Sequence, residues 1–278
     1  MQYTLSRTCR IIVSDAPPTA AGSGPGNNHA GWPTPAGLAA WYEIDVELEA
    51  EPDAESGYII GIHVIDKAIR EAAREPLREA LFGPREQEIG LARLVRTIKD
   101  RVGETLGRMP TTLRFKLSPR HMITWTSETH RPEGDHMTPA TETLFVTEQF
   151  EFAASHRLHC PERSEEWNRN EFGKCNNPHG HGHNYKVEVT IRTEMTPDGT
   201  AAMDFSQLEG VVESAVIGRF DHRYLNEECP EFEDMNPSVE NITRTCRDLL
   251  VRELEGTGGS LEWVTVWETA KTSCTCRG

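Results

Sequence analysis

The second half of the chain is rich in histidine: His156, His159, His179, His181, His183 and His222. The densest run is Cys175-Asn176-Asn177-Pro178-His179-Gly180-His181-Gly182-His183-Asn184-Tyr185. Residues two apart on an extended backbone point to one face. His181 and His183 can therefore bind a single ion. His156 ends the preceding predicted strand and can approach the same point from a neighbour. Three neutral imidazoles leave a zinc ion its full charge and an open fourth position. That is the pattern of catalytic zinc, because structural zinc usually closes with thiolates. His179 lies on the same alternation and competes for a ligand role, ranked below the other two. His159 reads as a surface residue.

Cys175 lies six residues before His181 and follows Lys174. A thiol beside a dication and an ammonium group is expected to have a lowered pKa and to serve as base or nucleophile. The alternative is a buried structural cysteine. In Asp221-His222 a carboxylate can orient and charge an imidazole for proton relay. Adjacent side chains in a strand point apart, so this pair requires a turn; otherwise it is a surface pair. Glu268 ends the last predicted strand on the face of Val264 and Val266. A carboxylate there needs a donor, unless it is simply a solvated strand end.

The elements that must position these groups are legible in outline. Residues 147–154 and 185–193 read as strands, the second with apolar and polar residues alternating. Pro197-Asp198-Gly199 makes a turn. A helix begins at Asp204, with Gln207 completing a capping box, and runs to about Ile217. A second begins near Asn236, with Asn236 as cap and Pro237 in the first turn. Val239, Ile242, Cys246 and Leu249 form its apolar face. Residues 261–268 are the last predicted strand, and Cys274 and Cys276 fall in a frayed tail.

The first half repeats this order. Strands are expected at 9–13, 41–49 and 58–64, helices from about 66 and over 89–106, and strands at 111–117 and 122–125. This reads as an internal duplication. Residues 16–37 form a loop rich in Pro, Gly and Ala. The polar stretch 127–140 reads as a linker. The division is 1–126, a linker at 127–143, and 144–278.

Several motifs together resemble the 6-pyruvoyl-tetrahydropterin synthase family. They are Phe150-Glu151-Phe152-Ala153-Ala154-Ser155-His156-Arg157-Leu158, Phe172-Gly173-Lys174-Cys175 through Tyr185, Met203-Asp204-Phe205, Asp221-His222 and Glu268. The resemblance implies an α+β tunnelling fold (T-fold): antiparallel sheets with helices packed on one face, joined between subunits into a β-barrel. It implies zinc on His156, His181 and His183, Cys175 as proton acceptor, and Asp221 and His222 as its relay. Glu268 would anchor the pterin, with Ser238 and Glu240 lining its pocket. The implied substrate is 7,8-dihydroneopterin triphosphate, and Arg157 and Lys174 are candidate triphosphate contacts or else solvated cations. The implied activity is a lyase of tetrahydrobiopterin biosynthesis. The nearest rival is 6-carboxy-tetrahydropterin synthase of queuosine-type pathways, which releases acetaldehyde; another is a pterin-binding or assembly protein without turnover. The first half lacks the histidine pair and counterparts of Cys175, Asp221-His222 and Glu268. It resembles a degenerate T-fold unit acting as a structural partner. Lone edge strands need partners, so a homo-oligomer, a trimer or higher, is expected.

Composition agrees. The 278 residues are 37% apolar and 26% charged, within the globular range. A net charge of -15 disfavours nucleic acid and anionic membrane surfaces. No signal-peptide core or membrane span is evident, and a cytoplasmic protein is expected. Seven irregularly spaced cysteines argue against a disulfide framework.

Overall fold

The computed structural model describes residues 2–15, 29–35, 37–84, 90–128 and 141–278. Most of the loop expected at 16–37, the start of the helix expected at 89, and 129–140 of the expected linker lie outside these. The chain divides into two compact units. One comprises 1–146 with 193–202, the other 147–192 with 203–278.

In the first unit β1 (Tyr3–Val13) pairs antiparallel with β2 (Ala40–Ala50), β2 with β3 (Thr112–Lys116), and β3 with β4 (His121–Glu128). Helices α1 (Ile62–Phe82) and α2 (Leu91–Leu106) come between β2 and β3 in sequence. The alternation expected in β2 is present, with Ile44, Val46 and Leu48 buried. The strand expected at 58–64 is absent. Its β-forming residues Tyr58, Ile62 and Val64 are exposed, so no sheet face rewards them. The helical spacing of Ile65, Ala68, Ile69, Ala72 and Leu77 wins instead, and α1 starts at Ile62. The ends of the expected linker are ordered too: Ser127 and Glu128 belong to β4, and β5 begins at Thr141.

In the second unit the strand order is β5-β6-β8-β9, with β7 (Arg223–Tyr224) paired parallel to the end of β5. Here β5 is Thr141–His156, β6 His181–Thr193, β8 Gly259–Thr269 and β9 Thr272–Arg277. Helix α3 (Glu165–Phe172) lies between β5 and β6. Helix α4 (Phe205–Val212) carries the expected capping box, with Asp204 and Gln207 bonded reciprocally at 3.0 and 2.9 Å. It continues through a wide turn at Glu213–Ile217 into α5 (Gly218–Phe220). After α6 (Leu225–Glu228) comes α7 (Val239–Glu253).

Two expectations fail here. The cap of α7 is Ser238, whose hydroxyl accepts from the Asn241 amide at 3.3 Å. Asn236 instead accepts from the His159 amide, and Pro237 precedes the cap. The tail with Cys274 and Cys276 is not frayed. It forms β9, which pairs Cys274 with Val266 and Cys276 with Val264. All seven cysteines are free. No helix among the described residues is long and apolar enough to cross a membrane.

Candidate functional site

His156 closes β5, and His181 and His183 open β6. Gly180 makes this entry possible. Its φ is +68°, and a Cβ there would lie 2.9 Å from the Tyr224 ring and 3.1 Å from the His156 carbonyl oxygen. The three imidazoles converge, with one ligating nitrogen from each within 4.8 Å of the others. His156 is fully buried, and its Nδ1 lies 2.6 Å from the Pro237 carbonyl oxygen. A carbonyl only accepts, so the proton resides on Nδ1 and the Nε2 lone pair faces the other two rings. The Nε2 atoms of all three are buried and have no hydrogen-bond partner among the described residues. Burial pushes the His156 pKa down to about 4, and burial with His183 lowers that of His181. These three buried nitrogens without a hydrogen-bond partner fit a divalent metal that prefers imidazole, with a fourth position left over. Exposed His179 is not in the group.

Glu268 joins the rim. Its Oε1 is 3.5 Å from His156 Nε2 and 3.8 Å from His183 Nε2. A register shift between Trp267 and Thr269 occurs at this position, and such irregularities re-aim side chains.

Cys175 is half-buried in a tight helical turn, Gly173–Asn176. The Leu158 amide donates to its carbonyl at 2.8 Å, and the Asn176 side chain donates to the Leu158 carbonyl at 2.7 Å. Burial, then the charge of Glu268, pushes the thiol up, while Lys174 stays exposed.

His159, expected at the surface, is half-buried scaffold. Its Nδ1 sits 3.0 Å from the Asn176 amide nitrogen and 3.2 Å from an Arg157 guanidinium nitrogen. Behind it, fully buried Asn168 accepts from the Cys160 amide at 2.7 Å and donates to the Cys160 carbonyl at 2.9 Å. Asn168→Ala is expected to cost about 2 kcal/mol, because the part-buried Cys160 amide and carbonyl lose their side-chain partner. Urea denaturation would show it; a loss under about 0.5 kcal/mol would mean the loop is held by other contacts.

Asp221 and His222 are joined by the turn their adjacency requires. His222 has φ +57°, and its Nδ1 is 2.8 Å from Asp221 Oδ2. Asp221 also accepts from the Ala153 amide at 2.8 Å. That amide and His222 hold the carboxyl below its usual range. The His222 side chain is 83% exposed, and among the described residues no hydrogen bond or ion pair joins it to Cys175 or the three histidines. A groove of about 490 Å³ connects His183, past Gly182 and Ser155, with His222 and Arg223. Ser238 is half-buried at the α7 cap, and Glu240 is exposed in the first turn.

The model of the 6-pyruvoyl tetrahydropterin synthase family matches residues 145–278. A relative named 6-pyruvoyl tetrahydrobiopterin synthase, from Poecilia reticulata, is 36% identical over 141 residues, 50% of this chain and 94% of that protein. The chain belongs to the 6-pyruvoyl tetrahydropterin synthase family. A second relative so named, from Homo sapiens, is 40% identical over 124 residues, 45% of this chain and 84% of that protein. Across 100% of this chain and 93% of its own, a uricase from Arthrobacter globiformis superposes with a TM-score of 0.50 at 7% identity, a likeness of fold alone.

Three residues that pack around these groups are not legible in the sequence. Pro237 sets the His156 tautomer through its backbone, which no side-chain pattern reports. Asn168 looks like any helix-surface polar residue. Tyr185 starts the apolar alternation of the strand expected at 185–193, and it also continues the His181, His183 alternation.

Proposed function

We propose that this chain is a zinc-dependent lyase that converts 7,8-dihydroneopterin triphosphate to 6-pyruvoyl-tetrahydropterin with elimination of triphosphate. The observation that carries this reading is the trio of buried, unpartnered Nε2 atoms flanked by Cys175 and Glu268. His156, His181 and His183 would hold zinc, which supplies Lewis acidity to substrate oxygens. Glu268 accepts from the ring NH and amino group of the pterin, and Ser238 and Glu240 line the ring's pocket. Cys175 takes the proton from the side-chain carbon, and triphosphate leaves. His222, oriented by Asp221, returns a proton elsewhere in the side chain. Because His222 faces outward and is not joined to Cys175, the relay suits a homo-oligomer in which His222 of one copy serves Cys175 of another. Arg157 and Lys174 remain the triphosphate contacts of this reading, and Lys174 is exposed.

The domain reading is that residues 144–278 form the catalytic T-fold unit and 1–126 a degenerate one that completes the assembly. Two findings support it. Both units run from two strands through a pair of long helical segments to two further strands, the second with α3 inserted between its first two strands and β7 among its helices, and the uricase likeness spans the chain. The His156, His181, His183 trio lies in the second unit.

The test is incubation of zinc-loaded protein with 7,8-dihydroneopterin triphosphate, following triphosphate, acetaldehyde and pterin products. Triphosphate without acetaldehyde is the expected result. Acetaldehyde would reassign the chain to 6-carboxy-tetrahydropterin synthase chemistry, and no turnover would leave a binding or assembly role.

A further inference from the structure

Tyr185 is the third residue in a row. His181, His183 and Tyr185 alternate along β6 and share one face. Its side chain is fully buried, stacked on Phe152 at 5.0 Å between centroids. The ring lies 5.5 Å from His183 and 6.1 Å from His156. Its phenol oxygen has no hydrogen-bond partner among the described residues.

A buried hydroxyl without a partner is costlier than the apolar group of the same shape. Phenylalanine would keep the stack on Phe152 and avoid that cost. The hydroxyl therefore has a partner that arrives from outside, and its neighbours say where. Its ring adjoins those of His156 and His183, whose Nε2 atoms lie 3.5 and 3.8 Å from Glu268. We propose that Tyr185 is a substrate-positioning residue whose phenol O–H donates a hydrogen bond to an oxygen of the ligand's hydroxylated side chain. The proposal rests on the lyase reading for the identity of that ligand. It goes beyond that reading in assigning a fixed donor beneath the reacting carbons.

The experiment compares the full-length zinc-loaded protein with Tyr185→Phe. The probes are 7,8-dihydroneopterin, which carries the side chain but no leaving group, and 7,8-dihydropterin, which lacks the side chain. Dissociation constants are read by fluorescence, beside zinc content, melting temperature, kcat and KM. Tyr185→Phe is expected to bind dihydroneopterin about tenfold more weakly, with dihydropterin binding and zinc content unchanged. The melting temperature should hold or rise, and kcat should fall. A merely structural tyrosine would affect both pterins alike. Equal dihydroneopterin affinity in the two proteins overturns the proposal and leaves the lyase reading intact. Wild type that binds dihydroneopterin without turning over the triphosphate sinks the lyase reading, and the same comparison still decides Tyr185. Wild type that binds neither pterin overturns both.

Discussion

Cys175→Ala is expected to lower kcat by about 10²- to 10⁴-fold, the range a positioned general base supplies, while bound zinc and the fold are retained. The turn that carries Cys175 is fixed by backbone groups, the Leu158 amide to its carbonyl, and by the neighbouring Asn176 side chain. Alanine preserves all of these and removes one sulfur. The three histidines stand on β5 and β6, so their geometry does not depend on the thiol. The direction of the pH dependence follows from the surroundings. Burial and Glu268 disfavour the thiolate, so without an opposing charge the base form appears only at alkaline pH. A dication at the histidines acts in the opposite sense. The acidic limb of kcat/KM in the zinc-loaded wild type should therefore lie below the thiol titration measured in the stripped protein. Steady-state kinetics with metal analysis on the same preparations checks both statements. Cys175→Ala with wild-type kcat would remove the thiol from the mechanism.

The histidine trio was legible because a strand repeats every two residues, and imidazoles turned to one shared face are costly to bury without an ion to ligate. The Asp204 and Gln207 cap was legible because it is wholly local. What failed depends on partners distant in sequence. The segment Thr-Ser-Cys-Thr-Cys-Arg lacks an apolar stripe and becomes β9 because β8 offers it a ladder. Tyr58 to Val64 has strand composition but no strand to pair with, and the helical face beyond it prevails. Asn236 and Pro237 look like a helix start. The cap falls on Ser238 because the Asn236 side chain is engaged by the His159 amide and the Pro237 carbonyl by His156. The charge of Glu268 on Cys175 is of the same kind, because Glu268 is 93 residues away in sequence.

His156→Ala is expected to weaken zinc binding by more than about 100-fold, since loss of an outer-shell partner of a ligand alone costs 10- to 100-fold. His156 is the ligand to remove because its ring is the one locked. The Pro237 carbonyl fixes its tautomer, and its side chain has no exposure, whereas His183 retains 18%. The same burial gives the stripped wild-type protein a stability that depends on pH. The unfolded imidazole takes a proton near pH 6.5, and the folded one only near pH 4. The unfolded state thus binds more protons between these values, and stability falls as pH drops through that window. A gap of roughly 2.5 pH units corresponds to about 3 kcal/mol. Burial lowers the His181 value as well and works in the same direction. Urea denaturation of stripped wild type and stripped His156→Ala at pH 7 and pH 4.5 separates the contributions. The wild type should lose more stability on acidification than the variant, although the variant starts lower because it leaves a cavity and an unpaired Pro237 carbonyl. Equal losses would show that His156 titrates as an exposed imidazole does, and burial of the trio would no longer favour a metal there.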